Sequence, residues 1–522
     1  MNIWIVSQEC SGIQEAGGVK SVTYSLAKEF SRQKNKVTLF LPKFNCTTLK
    51  NIKNYKKDIF PQCSIQICNQ TEKVSFSQGF FKNTKVRVVF VEHECFSEKQ
   101  DIYVYTKSEE EKNPEHKKGL GHTDVNFLDI LFQKSVAAFG DFCSKSDFPQ
   151  IVHAQDASCA CIGAFLAEKN IFQNTKSVVT IHNAGPAYHH EFKNFSDAKK
   201  FTMLNDEILN FSRNGERIEP FLIASQFSKL ITVSDFYAQE ITDPKNDSLT
   251  DGLAHLFFEK NIKILGITNG IDFKSYNPTC KKCSHLPFTF NPIKKNLTGK
   301  SKCRNFLYEF CSQNADLQKF SDYTHGLIKH GFLESFSKDE ILLSFHGRTV
   351  YQKGITVLQN ACEILFQKNK NIKIIIVGQG DSQNVNDLIQ FTQKFPGKAV
   401  YFEGYNKKTS RLCVASSDFI ILPSFFEPCG LEDFIAQIYG TLPIAHKTGG
   451  LRKIINNKTG FLYEENTAEN LSNIIEQIIV ELIFLNPQKR LNMIQEACLT
   501  VKENFSWKKI VKEKYIPFFK NL

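Results

Sequence analysis

Short apolar runs alternate with stretches of helical period along almost the whole chain. In the first half the runs fall at 3–6, 36–41, 87–91, 151–153, 177–181 and 230–233. A second series begins at 341–345 and continues at 373–377, 399–402, 419–423 and 442–445. Runs this short, rich in Val, Ile, Leu and Phe, suit parallel strands buried on both faces. Between them, 355–366 and 431–439 place apolar residues at the three- and four-residue spacing of amphipathic helices. The repeated βα order predicts an α/β protein with two doubly wound sheets. A stretch rich in Lys, Pro and Asn at 278–297 separates the two series, and the domain boundary is placed just before Ile267, giving 1–266 and 267–503. The polar segment 106–123, with Glu109, Glu110 and Glu111 in a row, reads as a mobile surface loop.

Composition narrows the function classes. A chain of 522 residues with 42% hydrophobic content can fill two substantial cores. No apolar run reaches the roughly 18 residues that a membrane helix needs. The first run enters a glycine loop in place of a cleavage site, so it reads as a strand and the protein as cytoplasmic. Lys and Arg outnumber Asp and Glu by 65 to 54, but the excess is scattered and forms neither a basic helix nor a zinc-finger spacing. That distribution argues against nucleic acid as a partner. The 16 cysteines form no compact framework and are expected to be reduced and mostly in the core. Cys280, Cys283, Cys303 and Cys311 are the one cluster where zinc stays open, although the second pair lacks the usual short ligand spacing.

The densest chemistry is Glu427-Pro428-Cys429-Gly430-Leu431, which leaves the run 419–423 and enters a helix. Open parallel sheets bind ligands at such strand-to-helix turns. Pro428 suits the first helical position, and the N–H groups beyond it favour an oxygen-rich partner such as a sugar or phosphate. Arg348 and Lys353 flank the loop after 341–345 and can fold toward a single diphosphate, Arg as a planar fork and Lys as a compact charge. The same spacing also suits a solvated basic loop. Thr448-Gly449-Gly450 ends a later strand of the same sheet and adds backbone N–H groups.

RTVYQKG (348–354), EPCGLEDFIAQIYGTLPIAHKTGG (427–450) and ITNGIDFKSYNP (267–278) together resemble the bacterial glycogen synthase and starch synthase family of retaining glucosyltransferases. EAGGVKSVTYSLAKEF (15–30), VHAQD (152–156), TIHN (180–183) and TVSDFYAQEI (232–241) extend the resemblance over nearly the whole chain. Each motif is weak alone, and the ordered set is specific. The resemblance implies a GT-B fold: two doubly wound, Rossmann-like domains facing across a cleft, with a terminal helix in 504–522 that packs back on the first domain and completes it. It implies a retaining hexosyltransferase that moves glucose from ADP-glucose or UDP-glucose to the non-reducing end of an α-1,4-glucan, with no metal or other cofactor.

The resemblance also implies roles. Arg348 and Lys353, with backbone N–H groups of Gly449, Gly450, Gly17 and Gly18, face the donor phosphates. Glu427 binds glucose hydroxyls and offsets the positive charge that develops on the sugar. His182 lies near the sugar, Thr448 and Asn269 belong to the donor cleft, Tyr405 stacks on the base, and Asp156 is on the acceptor side. Read without the family, His182 is a core histidine at a strand end, Tyr405 a structural ring and Asn269 a turn residue. Cys429 is expected to pack in its turn.

The departures are concentrated in the first domain. Glu15 stands where the family has a lysine that contacts phosphate, so either Glu15 turns away or Lys20 supplies the charge. Ser21 replaces an aspartate, Ala157-Ser158 replaces Trp-His, and Ile223 replaces a lysine. Two alternatives to an active glucan synthase therefore stay open: a glycosyltransferase with another acceptor, and a non-catalytic protein that binds glucan or nucleotide-sugar.

Overall fold

The computed structural model describes residues 1–334, 340–368 and 371–522. It divides into two compact units, Met1–Asn269 with Trp507–Leu522, and Gly270–Ser506.

The first unit is built on strands β1 (Asn2–Val6), β2 (Lys36–Pro42), β3 (Ile52–Lys56), β4 (Cys63–Ile67), β5 (Gln70–Phe81), β6 (Arg87–Glu92), β7 (Ile151–Gln155), β8 (Lys176–Ile181), β11 (Lys229–Thr232) and β12 (Ile264–Gly266), with a separate two-stranded ribbon of β9 (Arg213–Asn214) and β10 (Arg217–Ile218). The main sheet runs β12-β11-β8-β7-β1-β2-β6-β5-β3. Strands β12 to β6 are parallel, and β3, β4 and β5 add an antiparallel edge. Strand β1 is buried at every residue, as a central parallel strand covered on both faces must be. Helix α1 (Val19–Arg32) turns Val22, Leu26, Ala27 and Phe30 onto the sheet. Trp507, Ile510, Val511, Tyr515 and Phe519 from the end of the chain join the same core, where Phe30 meets Phe519 at 5.5 Å and Tyr515 at 5.8 Å between ring centroids.

The second unit has β13 (Leu327–Leu333), β14 (Ile341–His346), β15 (Ile372–Gly378), β16 (Lys398–Gly404), β17 (Phe419–Leu422), β18 (Leu442–His446) and β19 (Phe461–Tyr463), in the order β13-β16-β15-β14-β17-β18-β19. Among the described residues only β13 is antiparallel to its neighbour. Alternate residues feed two cores: Leu343, Phe345, Ile374 and Ile376 enter one, and Leu342, Ile375 and Val377 the other. That two-sided burial is why these strands read as unbroken apolar runs. Asp418, just before β17, is held between Arg304 and Arg490 and accepts the Leu342 N–H at 2.9 Å. Burial opposes its charge, but the two guanidinium groups hold the carboxyl down at about 2.

Two sequence expectations are corrected. The segment 106–123 contains a helix, Lys107–Lys112, closed by a capping box between Thr106 and Glu109. Tyr105 stacks on His116 at 4.1 Å and its hydroxyl meets Thr123 at 2.9 Å, so the acidic run is anchored and is not a loose loop. Cys280 and Cys283 are paired in a disulfide, against the expectation of reduced thiols. Cys303 and Cys311 are fully buried among apolar side chains, so the four cysteines do not converge on a zinc site. Among the described residues no helix is long and apolar enough to cross a membrane.

Candidate active site

In the second unit the ends of β14, β17 and β18 bring the expected donor residues together. Lys353 Nζ lies 2.5 Å from Glu427 Oε2, and Ser424 Oγ donates to the same oxygen at 3.1 Å. Glu427 is 8% exposed. Burial alone would raise its pKa, yet Lys353, Lys453 and the Ser424 hydroxyl hold it below the ordinary carboxylate range. The carboxylate is therefore charged and aimed by its partners.

The surrounding backbone is fixed by close approach. Gly450 donates its N–H to the Glu427 carbonyl at 2.7 Å. A Cβ on Gly450 would sit 2.2 Å from the Cys429 carbonyl oxygen, so only glycine fits. Gly354 has φ +66°, and a Cβ there would meet the Pro423 carbonyl at 1.9 Å. Thr448 Oγ1 donates to the Phe425 carbonyl at 3.2 Å. Cys429 is buried in the turn, as expected of a packing residue. Arg348 is exposed, with Nη2 donating to Gln352 Oε1 at 3.2 Å, and Gln352 Nε2 donates to the Phe426 carbonyl at 2.9 Å. The amide of Gln352 thus ties the Arg348 loop to the Glu427 turn. Tyr405 follows β16 on the other side of β15 and is 64% exposed.

Two basic residues were not singled out from the sequence. The Lys453 side chain is buried, with its Nζ 3.0 Å from Asp433, and it donates to the carbonyls of Gly430 at 2.8 Å and Gly450 at 2.9 Å. It clamps the glycine pair onto the turn. His346 Nδ1 meets Glu432 Oε2 at 2.7 Å; burial would lower its pKa, but Glu432 raises it overall. Lys453 follows the glycine pair by three residues, which was the available signal. The His346 partner is 86 residues away, beyond any local pattern.

In the first unit His182 and Asp156 meet at the ends of neighbouring strands. The His182 N–H donates to Asp156 Oδ1 at 3.2 Å, and the ring Nε2 pairs with Gln155 Oε1 at 2.9 Å. Because that amide oxygen accepts, the ring proton sits on Nε2 and Nδ1 is left as an acceptor. Burial drives the His182 pKa down to about 3, so the ring is neutral. Burial also pushes Asp156 up to about 7 despite backbone donors at His182, Asn183 and Ala157. Asn269 is 4% exposed and its Oδ1 has no hydrogen-bond partner among the described residues.

The glycine loop departs from expectation. Glu15 folds back onto its own loop, accepting the Gly12 N–H at 2.7 Å and lying 3.6 Å from Lys20. The carboxylate and its candidate substitute cation therefore offset each other. Glu9, which the sequence reading missed, is buried and accepts the N–H groups of Ala16 at 3.0 Å and Gly17 at 2.7 Å. Gly17 therefore gives its N–H to a protein carboxylate in this structure. Gly18 faces open space. Ser21 is exposed, Ala157 and Ser158 are buried in a short turn, and Ile223 is fully buried.

A buried ion pair holds the loop after His182. His189 Nδ1 lies 2.9 Å from Glu219 Oε2, and its Nε2 donates to the Ala184 carbonyl at 2.8 Å. Glu191 stands beside them, and the side-chain donor atoms of the three residues lie within 4.8 Å of one another. Burial would lower the His189 pKa; Glu219 and the Ala184 carbonyl lift it to about 9. A raised histidine stabilises the fold fully below its unfolded value of about 6.5, and that stability is lost as pH rises through 9. The melting temperature is expected to fall between these pH values. Glu219→Gln should cost about 3 kcal/mol near pH 6 and flatten the decline, because it strands a buried partner. An unchanged pH profile in thermal melts of the variant would refute the assignment.

The starch synthase catalytic domain family matches residues 2–257, and the glycosyl transferases group 1 family matches 331–498. Glycogen synthase of Thermodesulfovibrio yellowstonii is 29% identical over 545 residues, spanning 100% of this chain and 98% of that protein. The chain belongs to the glycogen and starch synthase family of glycosyltransferases. Another member, glycogen synthase of Treponema denticola, is 27% identical over 99% of this chain and 98% of its own length. The starch synthase IV catalytic domain of Arabidopsis thaliana, solved with ADP and acarbose, matches with a TM-score of 0.79 at 21% identity, over 99% of this chain and 98% of that one. That likeness shows that this family member has the GT-B fold.

Proposed function

We propose that this family member transfers glucose from ADP-glucose to the non-reducing end of an α-1,4-glucan with retention of configuration. The observation that carries the reading is the charged Glu427–Lys353 pair at 2.5 Å, set beside the Gly450 clasp. Breaking the bond to a nucleoside diphosphate separates negative charge on the leaving phosphate from positive charge on the sugar. Lys353 and Arg348 receive the first; Glu427 offsets the second. When the donor enters, its diphosphate competes with Glu427 for Lys353, so one step both anchors the phosphate and frees a carboxylate oxygen for the glucose.

Same-face attack follows, with the leaving phosphate taking the acceptor proton. His182, neutral with a free Nδ1, accepts a sugar hydroxyl. Asp156, poised near neutrality, sits beside it on the acceptor side. Tyr405 stacks on the base, and Asn269 offers its unpaired amide oxygen to the sugar. The cations do the work a metal would do, so no metal is required. Support for ADP over UDP comes from the ADP bound in the Arabidopsis relative.

Nucleotide release with glycogen present tests the reading. ADP-glucose should be consumed faster than UDP-glucose, the rate should survive excess EDTA, and the new anomeric proton should be α by NMR. A β product or a strict metal requirement would overturn the mechanism.

A further inference from the structure

An exposed tyrosine stacked on a half-buried phenylalanine stands beside this site and has no part in the chemistry above. Tyr351 is 71% exposed, although it lies between Arg348 and Lys353 in the loop after β14. Its ring stacks on Phe425, two residues before Glu427, with centroids 4.9 Å apart and planes inclined by 12°. The pair is held rigidly from behind. Phe425 donates its N–H to the Gln352 carbonyl at 2.9 Å, its carbonyl accepts from Thr448 Oγ1 at 3.2 Å, and Gln352 also binds the Phe426 carbonyl. The Tyr351 ring is held flat against its support with most of its surface open to water, an arrangement in which an aromatic face can take a second stacking partner.

The strand order places it among the ligand-facing loops. Across the sheet the ligand-facing loops follow β16 (Tyr405), β15, β14 (Arg348 and Lys353), β17 (Glu427) and β18 (Thr448 to Gly450). On the proposed function, the base lies at the β16 end, the phosphates over β14 and the transferred glucose over β17 and β18. Strands are spaced by about 4.8 Å, which puts the β14–β17 step on the sugar side, some two to three strands from the base position. The platform is uncharged and flat, which suits the C–H face of a pyranose ring better than a phosphate.

We propose that Tyr351, backed by Phe425, is a stacking subsite for a glucose unit of the α-glucan chain, and so a residue that sets acceptor affinity. This rests on the glucan-synthase reading. The test compares the full-length wild type with Tyr351→Ala and Tyr351→Phe, using maltoheptaose as acceptor. Tyr351→Ala should raise the KM for maltoheptaose by roughly 5-fold, in line with a lost aromatic contact, while the KM for donor moves less than about 2-fold and Tyr351→Phe stays near wild type.

Direct titration of maltoheptaose into the same proteins by calorimetry should show the same loss without requiring turnover. An unchanged acceptor KM in an active enzyme sinks the subsite and spares the function. Tyr351-dependent maltoheptaose binding by a wild type that transfers no glucose sinks the function and spares the subsite. A shift in donor KM alone would assign the platform to the nucleotide and overturn the proposal. If the wild type neither transfers glucose nor binds maltoheptaose, both readings are rejected.

Discussion

Glu427→Gln should lower kcat for glucosyl transfer by about 10³-fold, the scale on which one preorganised electrostatic group acts in a buried site. The substitution keeps the shape and removes the charge. Ser424 Oγ still finds an acceptor, and Gly450 still bonds the residue 427 carbonyl, so the turn should survive. The donor KM distinguishes this loss from a binding defect. Lys353 is 2.5 Å from the carboxylate in the wild type, and without that competitor it is freer to take the diphosphate. The KM for donor should therefore stay level or fall while kcat collapses, the pattern of a lost transition-state interaction. A raised donor KM with kcat preserved would show that Glu427 only binds substrate.

Gly450→Ala should cost about 100-fold in kcat/KM through geometry alone. The new methyl would lie 2.2 Å from the Cys429 carbonyl oxygen and 2.4 Å from the Cys429 Cα, and backbone cannot yield as a side chain can. The glycine pair must lift away from the turn, breaking the 2.7 Å bond to the Glu427 carbonyl and dragging on the Lys453 clamp. Displacement of a catalytic group by about 1 Å is enough for a loss of that size. Circular dichroism should show a folded protein whose melting temperature drops by only a few degrees. Full activity in the folded variant would contradict the packing argument.

Much of this architecture was legible because parallel strands leave a strong mark. Runs such as 373–377 and 419–423 are buried on both faces; β15 contains the first, and β17 covers 419–422 of the second. The antiparallel edge was missed for the opposite reason. Strand β4 reads Cys-Ser-Ile-Gln-Ile with only Ile65 and Ile67 buried, and β3 buries only Ile52, so neither has an unbroken apolar run. Strand β13 is likewise half exposed along its length.

The site shows the same division. Glu427, Lys353 and the glycine pair sit in compact local motifs, so their residue types announced them. Glu9 did not, because its meaning depends on Ala16 and Gly17 folding back over its carboxylate. For Glu15 the sequence left two readings, a carboxylate turned away or Lys20 supplying the charge, and the side chain folds back to accept the Gly12 N–H and lies 3.6 Å from Lys20. Spacing reveals which groups are near in sequence; which of them neutralise one another is decided by side-chain direction. The stacking of Tyr351 on Phe425 across 74 residues of chain belongs to that second kind.

The central claim is that this chain builds α-1,4-glucan from a nucleotide-glucose. Its most direct test is transfer of labelled glucose to glycogen by the purified full-length protein, with ADP-glucose and UDP-glucose side by side, followed by digestion with an enzyme specific for α-1,4 links. Label entering glycogen mainly from ADP-glucose and released by that digestion is the predicted result. No label in glycogen from either donor would contradict it.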